Sequence, residues 1–211
     1  KEEKLFLNAV STDGHRLSFA SLEVNFEENP NFSKIILPRK TALEIKKILD
    51  LLEDEESEIK IFEKQIMFSS KSFVLVSKLI DADFPEYEKV IPAENTKTAI
   101  VNRKDLITIV ERMAAIYAAS SENGMKLNFN GPLLTISAKN KDGGEAMDEI
   151  SIESNFSETF DVNYNYVYLI EILNHISSEK VKILLKDSTT PAVIKEMALE
   201  SYFYILMPMR F

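Results

Sequence analysis

The sequence predicts an α+β protein of repeated domains, in which helices pack on antiparallel sheet. Three observations carry this. Short alternations of apolar and polar residues, the period of a half-buried strand, recur along most of the 211 residues. Only three longer segments switch to helical spacing. One order of elements, a helix followed by three strands, occurs twice. It reads LEIKKILDLLEDEESEIKIFEKQIMFSSKSFVLVSKL in the first half and LIEILNHISSEKVKILLKDSTTPAVIKEMALESYFYILM in the second. Such self-similarity argues for two copies of one unit rather than one continuous sheet.

In chain order, residues 5–10 and 16–24 read as strands, joined where Asp13-Gly14 favours a tight turn. The first helix follows Leu37, with Pro38 and Arg39 at its start. It presents Ala42, Ile45, Ile48, Leu49 and Leu52 as an apolar face. The run EDEES at 53–57 lacks the spacing of a calcium loop and reads as a solvated turn. Strands follow at 59–62, 66–69 and 73–79. The polar stretch PAENTKT at 92–98 then reads as a linker dividing 1–94 from 95–211.

The second helix is NRKDLITIVERMAAIYA, with Asn102 as its cap and Asp105 in the capping-box position. Leu106, Ile109, Val110, Met113 and Tyr117 form its buried face. Strands at 126–129, 133–138 and 146–153 come next, with DGG at 142–144 as a hairpin turn. The third helix spans about 163–176, carrying Val167, Ile170, Leu173 and a partly buried, structural His175. Strands at 181–185, 192–197 and 201–207 complete the second copy. The helix at 103–119 and strand at 126–129 that precede this copy have no counterpart before the first. The first domain is therefore expected to lack its first helix and strand, as a chain that starts inside a larger unit would.

Composition narrows the chemistry. There is no cysteine, so disulfide and thiol chemistry are excluded, which fits a reducing cytoplasm. A net charge of -9 repels free nucleic acid on average but leaves room for a local basic surface. No apolar run reaches membrane-spanning length. Asp13 and His15 offer a possible acid–base pair for a hydrolase, yet no HExxH, GxSxG or glycine-rich phosphate loop accompanies them. Two histidines without cysteine make a poor zinc site. In the first helix, Arg39, Lys40, Lys46 and Lys47 face only Glu44 and Asp50, a formal +2. In the second, Arg103, Lys104 and Arg112 face Asp105 and Glu111, a formal +1. Such charges either occupy the solvent side of an amphipathic helix or touch phosphates without reading bases.

Four separated motifs then converge. STDGHRL, ILPRK, SKLIDADFPEYEKVIP and the terminal YILMPMRF, in this order and at these separations, resemble the bacterial DNA polymerase III beta subunit family, the sliding clamps. The resemblance covers essentially the whole chain. It implies the DNA-clamp fold, in which each repeated domain packs two helices on antiparallel sheet. Full-length protomers have three such domains, and a homodimer closes head to tail around double-stranded DNA. Residues 1–94 then correspond to the middle domain without its first helix and strand, and 95–211 to the C-terminal domain. The family is not enzymatic and needs neither cofactor nor metal.

The resemblance also assigns sites. The helices at 39–52, 103–119 and 163–176 would line the pore, with Lys40, Lys46, Lys47, Arg103, Lys104 and Arg112 facing DNA. The third, with Asp161 and Glu171 and no basic residue, would attract DNA least. A groove for linear motifs of the DNA polymerase III alpha subunit, the clamp loader and other clamp-binding proteins would take Thr12, Gly14, His15, Arg16 and Leu17. Pro85, Lys89 and Val90 would join them, with Asp161, Tyr164, Thr189 and Pro191. The tail would add Ile205, Leu206, Met207, Pro208, Met209 and Arg210, with Phe211 packed beside the groove. Leu17, Val90 and the tail would form an adaptable apolar pocket, and His15, Arg16 and Arg210 would accept polar or acidic peptide atoms. Where the family often has arginine and asparagine, this sequence has Lys89 and Asp161. Two other functions fit the residues less well: an adaptor that does not encircle DNA, and a hydrolase using Asp13 and His15.

Overall fold

A computed structural model describes residues 5–24, 34–52, 56–118 and 121–209. The first half contains β1 Leu5–Thr12, β2 Arg16–Val24, α1 Arg39–Leu51, β3 Glu58–Ile61, β4 Gln65–Ser69 and β5 Val74–Lys78. A 3-10 turn at Tyr87–Val90 leads to β6 Lys97–Asn102 and α2 Arg103–Ala114, which tightens into a second 3-10 turn at Ala115–Tyr117. Then come β7 Gly124–Asn130, β8 Leu133–Lys139, β9 Glu145–Ser151, β10 Glu153–Ser154 and β11 Thr159–Asn165. The chain closes with α3 Tyr166–His175, β12 Lys180–Leu185, β13 Ala192–Glu196 and β14 Tyr202–Leu206. The expected α+β class is what forms. No helix among the described residues is long and apolar enough to cross a membrane.

Two compact units result. One draws on Phe26–Glu86, the other on Lys1–Asn25 together with Tyr87–Phe211. The smaller unit is the antiparallel sheet β3-β4-β5 with α1. Ile66 and Phe68 of the central strand are buried, and Phe68 packs on Phe73 with ring centroids 5.6 Å apart. A 2.6 Å bond between the Thr41 and Ser77 hydroxyls ties α1 to β5. The apolar face expected on α1 is only half covered: Ile45, Ile48 and Leu52 are partly buried, whereas Ala42 and Leu49 are exposed. The run at 53–57 lies largely outside the described residues.

The larger unit has a seven-stranded sheet, β1-β2-β14-β13-β12-β6-β10, and a four-stranded sheet, β11-β7-β8-β9. On α2 the predicted face is real, since Leu106, Ile109, Val110 and Met113 are buried together with Tyr117 just beyond the helix. Asn102 caps it by accepting hydrogen bonds from the Lys104 and Asp105 N–H groups at 3.0 and 3.2 Å. The DGG turn joins β8 to β9, and Gly143 takes the left-handed φ of 86° that glycine adopts without steric cost.

Two expectations need correction. The third helix begins at Tyr166, not near Asn163, because residues 159–165 pair one for one with β7 as a strand. Their alternation, with Phe160, Val162 and Tyr164 turned towards the core, is strand-like. Asn165 caps the helix at Val167 N–H, 3.0 Å away. Leu169, Ile172 and Leu173 are its buried face, whereas Ile170 is half-buried and Val167 and His175 are exposed. Second, PAENTKT is not a free linker. Its last residues enter β6, where Ala99 and Val101 are buried, and the Asn95 amide donates to the Leu184 and Pro191 carbonyls at 3.0 and 2.9 Å. The β1–β2 hairpin is joined to the sheet of the second half. β2 pairs with β14, setting Leu17 opposite Ile205 and Phe19 opposite Phe203.

Candidate functional site

The tip of the β1–β2 hairpin is held by its own polar groups. Asp13 Oδ1 accepts the backbone N–H groups of His15 and Arg16, both at 3.0 Å, and Gly14 supplies a φ of 84° that other residues resist. Thr12 Oγ1 donates to the Arg16 carbonyl at 2.8 Å. Partial burial opposes ionisation of Asp13, but the His15 N–H and the Arg16 contacts outweigh it and hold the carboxyl below its usual range. Asp13 is thus committed to the turn. Its contact with His15 is through the backbone N–H, while the His15 ring stacks on Tyr168 of α3, centroids 6.0 Å apart.

Cross-strand partners share a face of a sheet, so the register sorts the neighbours. Leu17 and Ile205 point to one face. Arg16 and Leu206 point to the other. Arg16 there forms ion pairs with Asp13, Nε to Oδ2 at 3.0 Å, and with Glu171 of α3. Its guanidinium also lies 4.4 Å from the Tyr168 ring centroid. Partial burial works against this charge, yet the bonds to Glu171 and Asp13 raise the Arg16 pKa above its ordinary value.

After β14 the tail is tied at two points. Met207 N–H donates to the His15 carbonyl at 2.9 Å, and Met209 N–H to the Asn163 carbonyl at 2.8 Å. Pro208, which has no N–H, stands between the two donors, so no backbone donor is left over. Ile205 and Leu206, on opposite faces of the sheet, are both fully buried. The apolar surface offered at this end comes from Met207, Pro208 and Met209, all half-buried. Arg210 and Phe211 lie outside the described residues.

The other groove candidates divide. Lys89 is exposed and Val90 half-buried in the 3-10 turn, whose Tyr87 lies 6.3 Å from Phe19, itself stacked on Phe203 at 4.8 Å. Pro85 is exposed in the smaller unit. Thr189 and Pro191 belong to the β12–β13 turn. It leaves the sheet at the same end as Met207, because Ala192 pairs with Leu206. Asp187 organises that turn by accepting the Thr189 N–H and hydroxyl and the Thr190 N–H, which bring its pKa down to about 2.

Asp161 and Tyr164 do not join the site. Asp161 is bound by Lys126 at 2.7 Å and Asn128 at 2.5 Å, and these contacts lower its pKa. Tyr164 is a core residue, 2 % exposed, its hydroxyl without a hydrogen-bond partner among the described residues and its pKa pushed up by burial. The tyrosine beside His15 and Arg16 is Tyr168. Sequence reasoning missed it, and with it Glu171 as partner of Arg16, by starting the helix three residues early. The alternation of FDVNYN was the available signal.

Of the six expected DNA-facing cations, Lys40 and Lys104 are exposed. Lys46 and Lys47 pair along α1 with Asp50 at 3.4 Å and Glu44 at 2.9 Å. Arg112 pairs with Asp148. Arg103 has another task. Its Nε and Nη1 donate to the Ser178 and Leu173 carbonyls, both at 3.1 Å, so the guanidinium closes the C-terminal end of α3.

Two family models match the chain in tandem. One, described as the DNA polymerase III beta subunit central domain, matches residues 1–86; the other, the C-terminal domain of the same subunit, matches residues 88–210. The beta sliding clamp of Pseudomonas aeruginosa is 33 % identical over 204 residues, 97 % of this chain and 54 % of the relative. That of Escherichia coli is 31 % identical over the same shares. The crystal structure of the Pseudomonas aeruginosa DNA polymerase III subunit beta superposes with a TM-score of 0.92 at 32 % identity, over 98 % of this chain and 55 % of that one. A sliding clamp from Bartonella birtlesii, solved bound to griselimycin, superposes with a TM-score of 0.88 at 34 % identity, over 99 % and 55 % of the two chains. The chain therefore spans about half the length of the curated relatives it matches.

Proposed function

Since the chain belongs to the DNA polymerase III beta subunit family, we propose that it is the central and C-terminal part of a beta sliding clamp. The whole protein encircles duplex DNA as a homodimeric ring in the cytoplasm and tethers the replicative polymerase. It has no catalytic step of its own. The tandem match to a central and a C-terminal clamp domain, in that order, is the observation that carries this reading. Exposed Lys40 and Lys104, with Lys46, Lys47 and Arg112, are the cations we assign to sequence-neutral phosphate contact, which permits sliding because no base is read. Arg103 is left out because its Nε and Nη1 donate to the Ser178 and Leu173 carbonyls.

The test is topological. The full-length protein, loaded on nicked circular plasmid, is expected to stay bound through gel filtration at moderate salt and to be lost when the plasmid is linearised. Equal retention on both forms overturns the ring.

For the groove, we propose that Thr12 to Leu17, the Tyr87–Val90 turn, Tyr168 and Met207 to Met209 receive a short peptide with an apolar end. The polymerase III alpha subunit, the clamp loader and other clamp-binding proteins are its sources. Support comes from the hydrogen bonds that hold the methionine-bearing tail against the hairpin tip and β11. The adaptable thioethers suit ligands of several shapes. The Bartonella clamp bound to griselimycin supports a ligand site on this fold. Deleting residues 207–211 is expected to weaken a polymerase-derived peptide more than tenfold in fluorescence anisotropy. Unchanged affinity sinks the assignment.

A further inference from the structure

The ion cluster beside the groove points to a selectivity that an arginine-lined site would not have. Arg16 is already engaged on three sides: Asp13 holds Nε at 3.0 Å, Glu171 holds Nη1, and the Tyr168 ring lies 4.4 Å from its central carbon. We infer that Asp13, Arg16 and Glu171 make this end of the groove select against acidic peptide residues, and that Glu171 sets the preference. The inference rests on the reading of the groove as a peptide site.

Two carboxylates surround one guanidinium, so the trio carries one net negative charge. A carboxylate arriving at Arg16 must either displace Glu171, leaving it unpaired, or sit beside that net charge. Both are unfavourable. A main-chain carbonyl or side-chain amide meets neither difficulty. A cation is welcome, because the Glu171 side chain is 51 % exposed and reachable from outside while Arg16 is 28 % exposed. On this reading Arg16 holds α3 to the hairpin tip, and the ligand meets an acidic edge. Exposure and salt limit the effect to about three- to tenfold at low ionic strength.

The experiment uses this chain and a six-residue peptide of apolar and amide residues, with Gln, Glu or Lys placed at each position in turn. Affinities are read by anisotropy at low and high salt. At one position at least, Glu is expected to bind about three- to tenfold more weakly than Gln, and Lys at least as well as Gln, with the differences collapsing in 1 M salt. In Glu171→Gln the Glu-to-Gln ratio at that position is expected to move towards one. Equal affinities for Glu and Gln everywhere in the unaltered chain overturn the proposal. So does a ratio unmoved by Glu171→Gln in a variant with native circular dichroism. If no peptide binds even with Gln throughout, the groove reading itself fails, and the inference falls with it.

Discussion

Leu206→Ala is expected to destabilise the larger unit by about 2–5 kcal/mol, the range for truncating a large aliphatic side chain in a closed core. Leu206 is 0 % exposed and packs in the cluster that contains Leu169 and Leu173 of α3 and Ala192 of β13. Alanine there leaves a void that the surrounding strands cannot close, since Leu206 is paired on both sides, with Arg16 and with Ala192. Because the chain has two units, the loss should be read locally, by hydrogen exchange of β13 and β14 amides in increasing urea. Met207→Ala, one residue beyond the strand and half-buried, is the comparison. Its effect should fall on peptide affinity, with little change in exchange. A Leu206→Ala chain as stable as the parent would show that β14 is not sealed against α3.

The second large effect belongs to Arg103. Arg103→Ala removes two charge-assisted hydrogen bonds, to the Leu173 carbonyl in the last turn of α3 and the Ser178 carbonyl beyond it, and should cost about 1–3 kcal/mol. Arg103→Lys keeps the charge but not the fork, and should recover only part of that loss. Lys104→Ala, at an exposed neighbouring position, should leave stability within about 0.5 kcal/mol. In a full-length ring, the same Lys104 change should lower the salt dependence of DNA binding by about one phosphate contact. Two adjacent cations thus separate into one that supports the fold and one that meets solvent. If Arg103→Ala melts like the parent while weakening DNA binding, that division is wrong.

The difference between these residues explains where sequence reasoning succeeded. The α2 face was legible because five apolar residues repeat at helical spacing behind a capping asparagine, and a local pattern suffices for a local structure. The hairpin tip was equally legible, because Asp13-Gly14 makes its turn from its own side chain and backbone. The start of α3 was not. NYNYVYLIEIL satisfies a helix almost anywhere along its length, and pairing of residues 159–165 with β7 decides where strand gives way to helix. Three residues of error moved the site's tyrosine from Tyr168 to Tyr164, from beside Arg16 into the core.

By itself, then, the sequence determined the α+β class, the repeated helix-and-strands unit, the turns and the motifs that mark the family. Each of these follows from neighbours along the chain or from residue order. Only the tertiary structure decided that the hairpin of residues 5–24 joins the sheet of the second half, and that Arg103 closes α3. It alone decided that Arg16 is held by Glu171, 155 residues away. The physical reason is common to all three. A strand edge, a helix-end carbonyl and a guanidinium each accept many partners of similar chemistry, and packing brings one of them within reach.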